Sequence, residues 1–232
     1  MWGAIRFLSI LIIRMDITAA ETSMRDVEIL RETDDWLVLD KPVGVSVHNR
    51  QGEDLVSFIK ERYDTDKVFL VNRLDSGTCG LVLFAKHSES AKALQQSFEK
   101  RLVSKTYLAR VQILKNHPVV GESGLWRWPL TNRTENRRAP KGFGGKRIPC
   151  QTQWKVLEVA EDQAILSIDL LTGRKHQIRR HCAIHGWPVW GDPRYGIENP
   201  EPVKGHHLIA KELSFNDPTS GDLITVRSKF EL

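Results

Sequence analysis

The chain is poor in the features that staple or anchor a protein. It has three cysteines in 232 residues (Cys79, Cys150 and Cys182), an odd and scattered set that excludes a disulfide framework and points to a reducing compartment. A cytoplasmic protein is therefore expected. The apolar stretch at 7–13 falls well short of the roughly 20 residues that a membrane helix needs, so no membrane partner is expected. There is no CxxC pair, no internal repeat, no heptad pattern and no linker dividing two cores. What remains, 41% hydrophobic and 27% charged residues, is a globular composition that excludes a disordered tail, a collagen-like fibre and a polytopic membrane protein.

Residues 1–24 read as an N-terminal extension. The apolar stretch follows Arg6 and precedes Thr18-Ala19-Ala20, which mimics a short secretory signal. Met15 and Met24 follow, so an over-extended start is the alternative, and Met24 lies just before Val27-Glu28-Ile29-Leu30, which begins a strand. With unpaired cysteines and basic segments downstream, a non-essential extension is expected rather than export. Residues 25–232 are then one domain, long enough to bury a core.

Charge is unevenly placed. The net charge is +5, yet Arg133 to Arg147 alone carries +5 and Leu170 to Cys182 another +4, which leaves −4 for the rest. Two basic islands on an acidic body suit a polyanion bound at one place, where counterion release supplies affinity. A pair of solvated surface loops fits the charges equally well.

The pattern of residues reads as mixed α and β. Trp36-Leu37-Val38-Leu39 is a strand stopped by the turn Lys41-Pro42-Val43-Gly44, and 80–85 is a continuous apolar run that predicts a buried strand. Apolar spacing predicts helices over 55–62 and after Ser88, which is placed to cap the second. Strands are expected over 107–114, 153–158 and 164–171, a helix over 175–184 ending at Gly186, and a hairpin pairing 208–215 with 222–227. The stretch 115–150 is the least regular.

Two segments carry chemistry. In Arg73-Leu74-Asp75-Ser76-Gly77-Thr78 a carboxylate flanked by an arginine sits in a loop that feeds a buried strand, where a rigid element fixes its position. The plain alternative is a turn in which Asp75 bonds nearby amides. In 171–181 a turn at Gly173 opens a helix whose first turns are dense in cations, an arrangement that opposes the helix dipole. Binding phosphates or pairing a buried carboxylate would justify it. His181 and His185 are four apart, but Cys182 points to another face and no third ligand follows, so no metal is expected. The 141–146 segment lacks the Gly-Lys-Ser/Thr ending of a phosphate loop and reads as a mobile basic loop touching a nucleic-acid backbone.

From about Ile29 to its end the chain resembles the RluA-type family of RNA pseudouridine synthases. The segment 35–44 is similar to the family's opening strand and Lys-Pro-x-Gly turn. Arg73-Leu74-Asp75 with Thr78 and Gly80 resembles its Arg-Leu-Asp-x-x-Thr-x-Gly signature, and Lys105-Thr106-Tyr107 its Lys-x-Tyr. Segments 172–179 and 186–192 match two later signatures, in the family's order. Asn72 stands where the family usually has His, and Cys79 where it usually has Ser. Both flank the aspartate, so they bear on preference or rate rather than on the reaction. Only about two dozen residues precede the body, so the expectation is a stand-alone catalytic domain.

The resemblance implies an α+β fold, a mainly antiparallel mixed sheet with flanking helices and a central RNA-binding cleft. It implies isomerisation of a uridine in rRNA or tRNA without a cofactor, by a monomer. Asp75 is the implied catalytic carboxylate, Arg179 its partner, and Tyr107 the residue that stacks on the uracil and helps remove its carbon-bound proton. Arg73 is placed to fill the gap left by a flipped base. Arg174, Lys175, His176 and Gln177, with Arg138, Lys141, Lys146 and Arg147 of the first island, are the expected RNA contacts. A nucleoside hydrolase would want a second carboxylate, which the chain near Asp75 and Arg179 does not supply; a silent RNA-binding protein would not need Asp75.

Overall fold

A computed structural model describes residues 23–48, 52–133, 135–197 and 205–232. Most of the expected N-terminal extension, residues 1–22, lies outside the described residues. The chain starts with a 3₁₀ turn at Met24–Asp26 capped by Ser23.

Among the described residues ten strands form one sheet: β1 (Glu28–Glu32), β2 (Trp36–Lys41), β3 (Phe69–Leu70), β4 (Cys79–Ala85), β5 (Ser104–Gln112), β6 (Ser123–Trp126), β7 (Thr152–Ala160), β8 (Gln163–Leu170), β9 (Leu208–Asn216) and β10 (Leu223–Arg227). Helices α1 (Leu55–Arg62), α2 (Ser88–Glu99) and α3 (Gln177–His185) pack on it. The strand order is β1-β2-β4-β9-β5-β8-β7-β6, with β10 also on β9 and β3 on β4. Among these strands only β4 and β9 pair in parallel; the rest are antiparallel, as an α+β mixed sheet requires.

Strands β2 and β4 are buried along their whole length because both their faces are covered, and their apolar runs, 36–39 and 79–85, are unbroken. Leu37, Leu39, Val82 and Phe84 face a core shared with Leu55 and Ile59 of α1 and Ile178 and Cys182 of α3. Their alternating neighbours Trp36, Val38, Leu81 and Leu83 face a second core with Ala91 and Leu94 of α2. Each such side chain contributes on the order of 1.5–3 kcal/mol, so these two strands are the frame of the molecule. In β7, buried and exposed residues alternate along Thr152–Val156, the pattern of a strand with one wet face.

Most elements begin and end within a few residues of the positions read from the sequence. Helix α2 is preceded by an extended His87 with no side-chain cap, so Ser88 is its first residue rather than its cap. Ser90 ties the helix start instead, donating to the carbonyls of Asp35 (2.9 Å) and His87 (3.0 Å). Helix α3 starts two residues late, because 174–177 form a turn through a left-handed His176, and it stops at Gly186 as expected. Strands β3 and β6 carry no alternation of their own and exist through pairing with β4 and β7.

The parallel contact of β4 and β9 imposes a sequence requirement. Gly80 has φ +107°, and a Cβ there would lie 2.4 Å from the carbonyl oxygen of Ala210. Gly121 has a similar φ, +88°, with nothing within 4 Å of such an atom. Gly121→Ala should cost about 1–2 kcal/mol of backbone strain alone. Gly80→Ala should cost clearly more, about 3 kcal/mol or above, since the two strands must part. Urea unfolding of the two variants measures the difference; equal costs would show that the β4–β9 contact yields easily.

Candidate active site

The loop that carries Asp75 is held from three sides. Asn72 acts as an extra strand rung: its side-chain oxygen accepts from the Leu83 N–H (2.7 Å) and its amide donates to the Leu81 carbonyl (3.3 Å). The Ser76 carbonyl accepts from the Gly44 N–H (2.8 Å) and from Nζ of Lys41 (3.1 Å). Lys41 is fully buried, and its ammonium also donates to the carbonyls of Pro42 and Val45, both at 2.9 Å. One cation thereby ties the Lys-Pro-Val-Gly turn to the Asp75 loop, and burial brings its pKa down to about 8. On the third side the Gly77 carbonyl accepts from the His206 N–H (2.7 Å), and a Cβ at Gly77 would lie 2.1 Å from Nδ1 of that histidine.

This framework places Asp75 in the wall of a cleft of about 560 Å³, with 32% of its side chain exposed. Arg179 comes from the first turn of α3. Its Nη1 donates to Oδ2 of Asp75 at 2.8 Å, while Nε and Nη2 donate to the two oxygens of Asp192 at 2.7 and 2.8 Å. The Asp192 carboxylate has no exposure and also accepts from the N–H groups of Arg194 (2.9 Å) and Tyr195 (3.1 Å). Burial disfavours charge on both groups, but their contact outweighs it. The pKa of Arg179 is raised by its two carboxylates, and that of Asp192 is lowered by Arg179.

Tyr195 braces this pair. Its ring lies 5.3 Å from the Arg179 guanidinium, and its hydroxyl is 2.9 Å from Nδ1 of His176. His176 approaches Oδ1 of Asp75 at 3.6 Å with its other nitrogen. Burial brings its pKa down to about 4 despite the nearby carboxylate, so at neutral pH this contact is not an ion pair. Tyr107 lines the cleft from β5, directly after the register shift in the β5–β9 pair. Burial, then the charge of Asp75, raises its phenol pKa, so the hydroxyl keeps its proton. Lys105 also lines the cleft, with its pKa lowered by burial and its ammonium 5.5 Å from the ring of Phe98.

The structure brings Asp75, Tyr107, Arg179, Arg73, Arg174, Lys175 and His176 into one cleft. Gln177 lines it too but is engaged inside the protein. Its amide donates to the Gln151 carbonyl and Oγ1 of Thr152, both at 2.9 Å, and its oxygen accepts from Thr172 (2.8 Å) and the Arg174 N–H (3.0 Å). It shapes the turn before α3 and has no capacity left for RNA, which corrects its expected role. Lys146 lines a second groove, Lys141 lies 5.7 Å from the Trp128 ring, and Arg138 and Arg147 are exposed outside both cavities. Arg180, counted in the basic island, is fully buried and donates to the carbonyls of Thr131 and Pro140, each at 2.6 Å. His181 is likewise committed, to Thr152 and the Trp128 carbonyl, each at 2.9 Å. Cys79 is a packed, inert thiol with its pKa pushed up to about 12 by burial.

The sequence did not single out Lys41, Asp192 or Tyr195 for a role. Their only local signals are the Lys-Pro-x-Gly turn and the Gly-Asp at 191–192. The expectation of no second carboxylate near Asp75 and Arg179 is also corrected: Asp192 lies on the far side of Arg179. It cannot activate water, being fully buried and saturated with donors.

Residues 35–184 match the family model described as RNA pseudouridylate synthase. The chain is 33% identical over 198 residues to an uncharacterised RNA pseudouridine synthase of Mycoplasma pneumoniae; the match covers 83% of this chain and 63% of that protein. It is 36% identical over 203 residues to the dual-specificity RNA pseudouridine synthase RluA of Vibrio vulnificus, covering 83% of this chain and 79% of the other. The chain thus spans less than two thirds of the Mycoplasma relative it matches. In fold it is similar to human RNA pseudouridylate synthase domain containing 1, with a TM-score of 0.74 at 23% identity over 90% of this chain and 85% of that one.

Two predictions come from this geometry. Asp192→Asn leaves Arg179 buried with one carboxylate and should cost about 3 kcal/mol in urea unfolding; an unchanged midpoint would show that Asp75 alone holds the guanidinium. His176, His181, His206 and His207 each have a pKa brought down to about 4 by burial, against about 6.5 unfolded. Below pH 6.5 the unfolded chain gains protons that the folded chain refuses until about pH 4, so stability falls as pH drops through that window. The loss should be roughly 1 kcal/mol per pH unit for each histidine, read from urea midpoints at pH 7.5 and 5.5. Equal midpoints would mean that these imidazoles titrate normally in the folded chain.

Proposed function

The chain belongs to the RluA-type family of RNA pseudouridylate synthases, and from that premise we propose that it converts a uridine of structured RNA, ribosomal or transfer, to pseudouridine. The bond from the ribose carbon to N1 of uracil breaks, the base turns, and the same carbon bonds to C5. The C5 proton leaves and N1 gains one, so the reaction balances without a cofactor.

The observation that carries this reading is the line Asp75–Arg179–Asp192, in which one guanidinium joins an open carboxylate to a sealed one. Asp75 is the group that reaches the ribose, aimed by Arg179. A base inside a stem cannot turn, so the uridine is flipped into the cleft, where Arg73 stands exposed to fill the stack it leaves. Tyr107, kept neutral, offers the uracil a ring to pack on rather than a resting base. The C5 proton leaves after rejoining, when that carbon lies beside a carbonyl and has become acidic. Three free, buried cysteines suit a cytoplasmic setting, and we read the protein as acting as a monomer.

Unmodified tRNA and rRNA transcripts tritiated at C5 of uracil test the proposal. Wild-type protein should release tritium from one pool, and Asp75→Asn should bind that RNA equally well while turnover falls at least about a hundredfold. Release of free uracil would instead mean a hydrolase. Binding without tritium release by the wild type would leave only an RNA-binding protein.

A further inference from the structure

Beside the catalytic cleft, and sharing Asn132 and Arg174 with it, lies a second groove of about 430 Å³ lined also by Arg133, Gly145, Lys146 and Ile148. It belongs to the loop between Leu130 and Ile148, which contains the 141–146 segment expected from the sequence to be a mobile basic loop. The loop is hydrogen-bonded on itself at three levels: Leu130 with Ile148 in both directions (3.0 and 2.8 Å), Thr131 N–H to the Lys141 carbonyl (3.1 Å), and Phe143 N–H to the Arg133 carbonyl (2.9 Å). Buried Arg180 grips its base through the Thr131 and Pro140 carbonyls. Phe143 of this loop is 76% exposed, between Gly142 and Gly144 and close in sequence to Lys141, Lys146 and Arg147.

A single exposed phenylalanine is ordinary on a protein surface. This one is held out on a braced loop, in the most basic segment of the chain, whose neighbouring residues line a cationic groove continuous with the site. An apolar protein surface would gain little from so much charge, whereas a single RNA strand offers both a base face and phosphates. We propose that Phe143 stacks on an unpaired base next to the flipped uridine, while Arg133, Lys146 and Arg174 take the adjoining phosphates in the groove. This rests on the proposed function and extends it to how the target strand is held. A stacked base is tolerant of sequence and a phosphate carries none, so the device selects for an unpaired strand beside the target rather than for particular letters.

The probes are a fluorescein-labelled RNA hairpin with a uridine-containing loop and the same hairpin with abasic residues in the loop, followed by anisotropy across a salt series. Phe143→Ala should weaken the normal hairpin about tenfold, within the range that stacking on an aromatic supplies, and leave the abasic one unchanged. Phe143→Trp should bind as the wild type does, and Phe143→Leu as alanine does. The salt slope should stay the same in Phe143→Ala and fall by about one in Lys146→Ala. Because Phe143 is exposed, urea midpoints should not move. Equal losses on both hairpins, rescue by leucine, or no loss at all would overturn the stacking role. Wild-type protein that binds neither hairpin and releases no tritium overturns the function itself; wild-type release with an indifferent Phe143→Ala overturns only this inference.

Discussion

One guanidinium sets the geometry on which the site depends. Arg179 uses three nitrogens on two carboxylates, one open to the cleft and one sealed, and its ring-like plane rests near Tyr195. Taking these charges out of water is expensive, and only good geometry with further hydrogen bonds offsets it. Asp192 supplies both, since its remaining lone pairs accept backbone N–H groups that also fix the chain at 194–195. A lysine could supply the charge but not the fork that holds two carboxylates at fixed angles. The consequence is an Asp75 that is positioned while still partly wet, as its proposed role at the ribose requires.

The sheet explains why groups so far apart in the chain meet. Asp75 and Arg179 are 104 residues apart. The Asp75 loop enters β4, Tyr107 lies on β5, and β9 runs between them, pairing Ala210 with both Gly80 and Tyr107. Helix α3 packs its Ile178 and Cys182 into the core on which those strands rest, which turns Arg179 toward the loop. Lys41 closes the assembly from below with three carbonyls, doing for the backbone what Arg179 does for the side chains. Neither lysine nor loop would keep its place if Gly80 let the strands separate.

The basic islands divide by burial. Arg174 and Lys175 face outward, whereas Arg179 and Arg180 face inward and hold the two parts of the site: one the carboxylates, the other the base of the loop that presents Phe143. Half of the second island's charge is therefore structural. Cations at the start of α3 oppose its dipole, and that cost is offset because three of them, Lys175, Arg179 and Arg180, meet carboxylates or carbonyls within the fold.

Sequence alone determined the elements that depend on local patterning. The apolar runs 36–39 and 80–85 within β2 and β4, the spacing of α1 and the stop at Gly186 all follow from backbone period and turn chemistry, which a short window contains. It also singled out Asp75, Tyr107 and Arg179, because their motifs are contiguous. Tertiary structure alone decided what surrounds them. That Asp192 is a sealed partner, that Gln177 is consumed by a turn, that Lys41 is a cage of carbonyls and that Ser-Gly-Leu-Trp becomes β6 all depend on neighbours distant in the chain. Burial and hydrogen-bond capacity belong to the packed molecule, so a residue's type can be read in sequence order but its exposure, and with it the role of its charge, cannot.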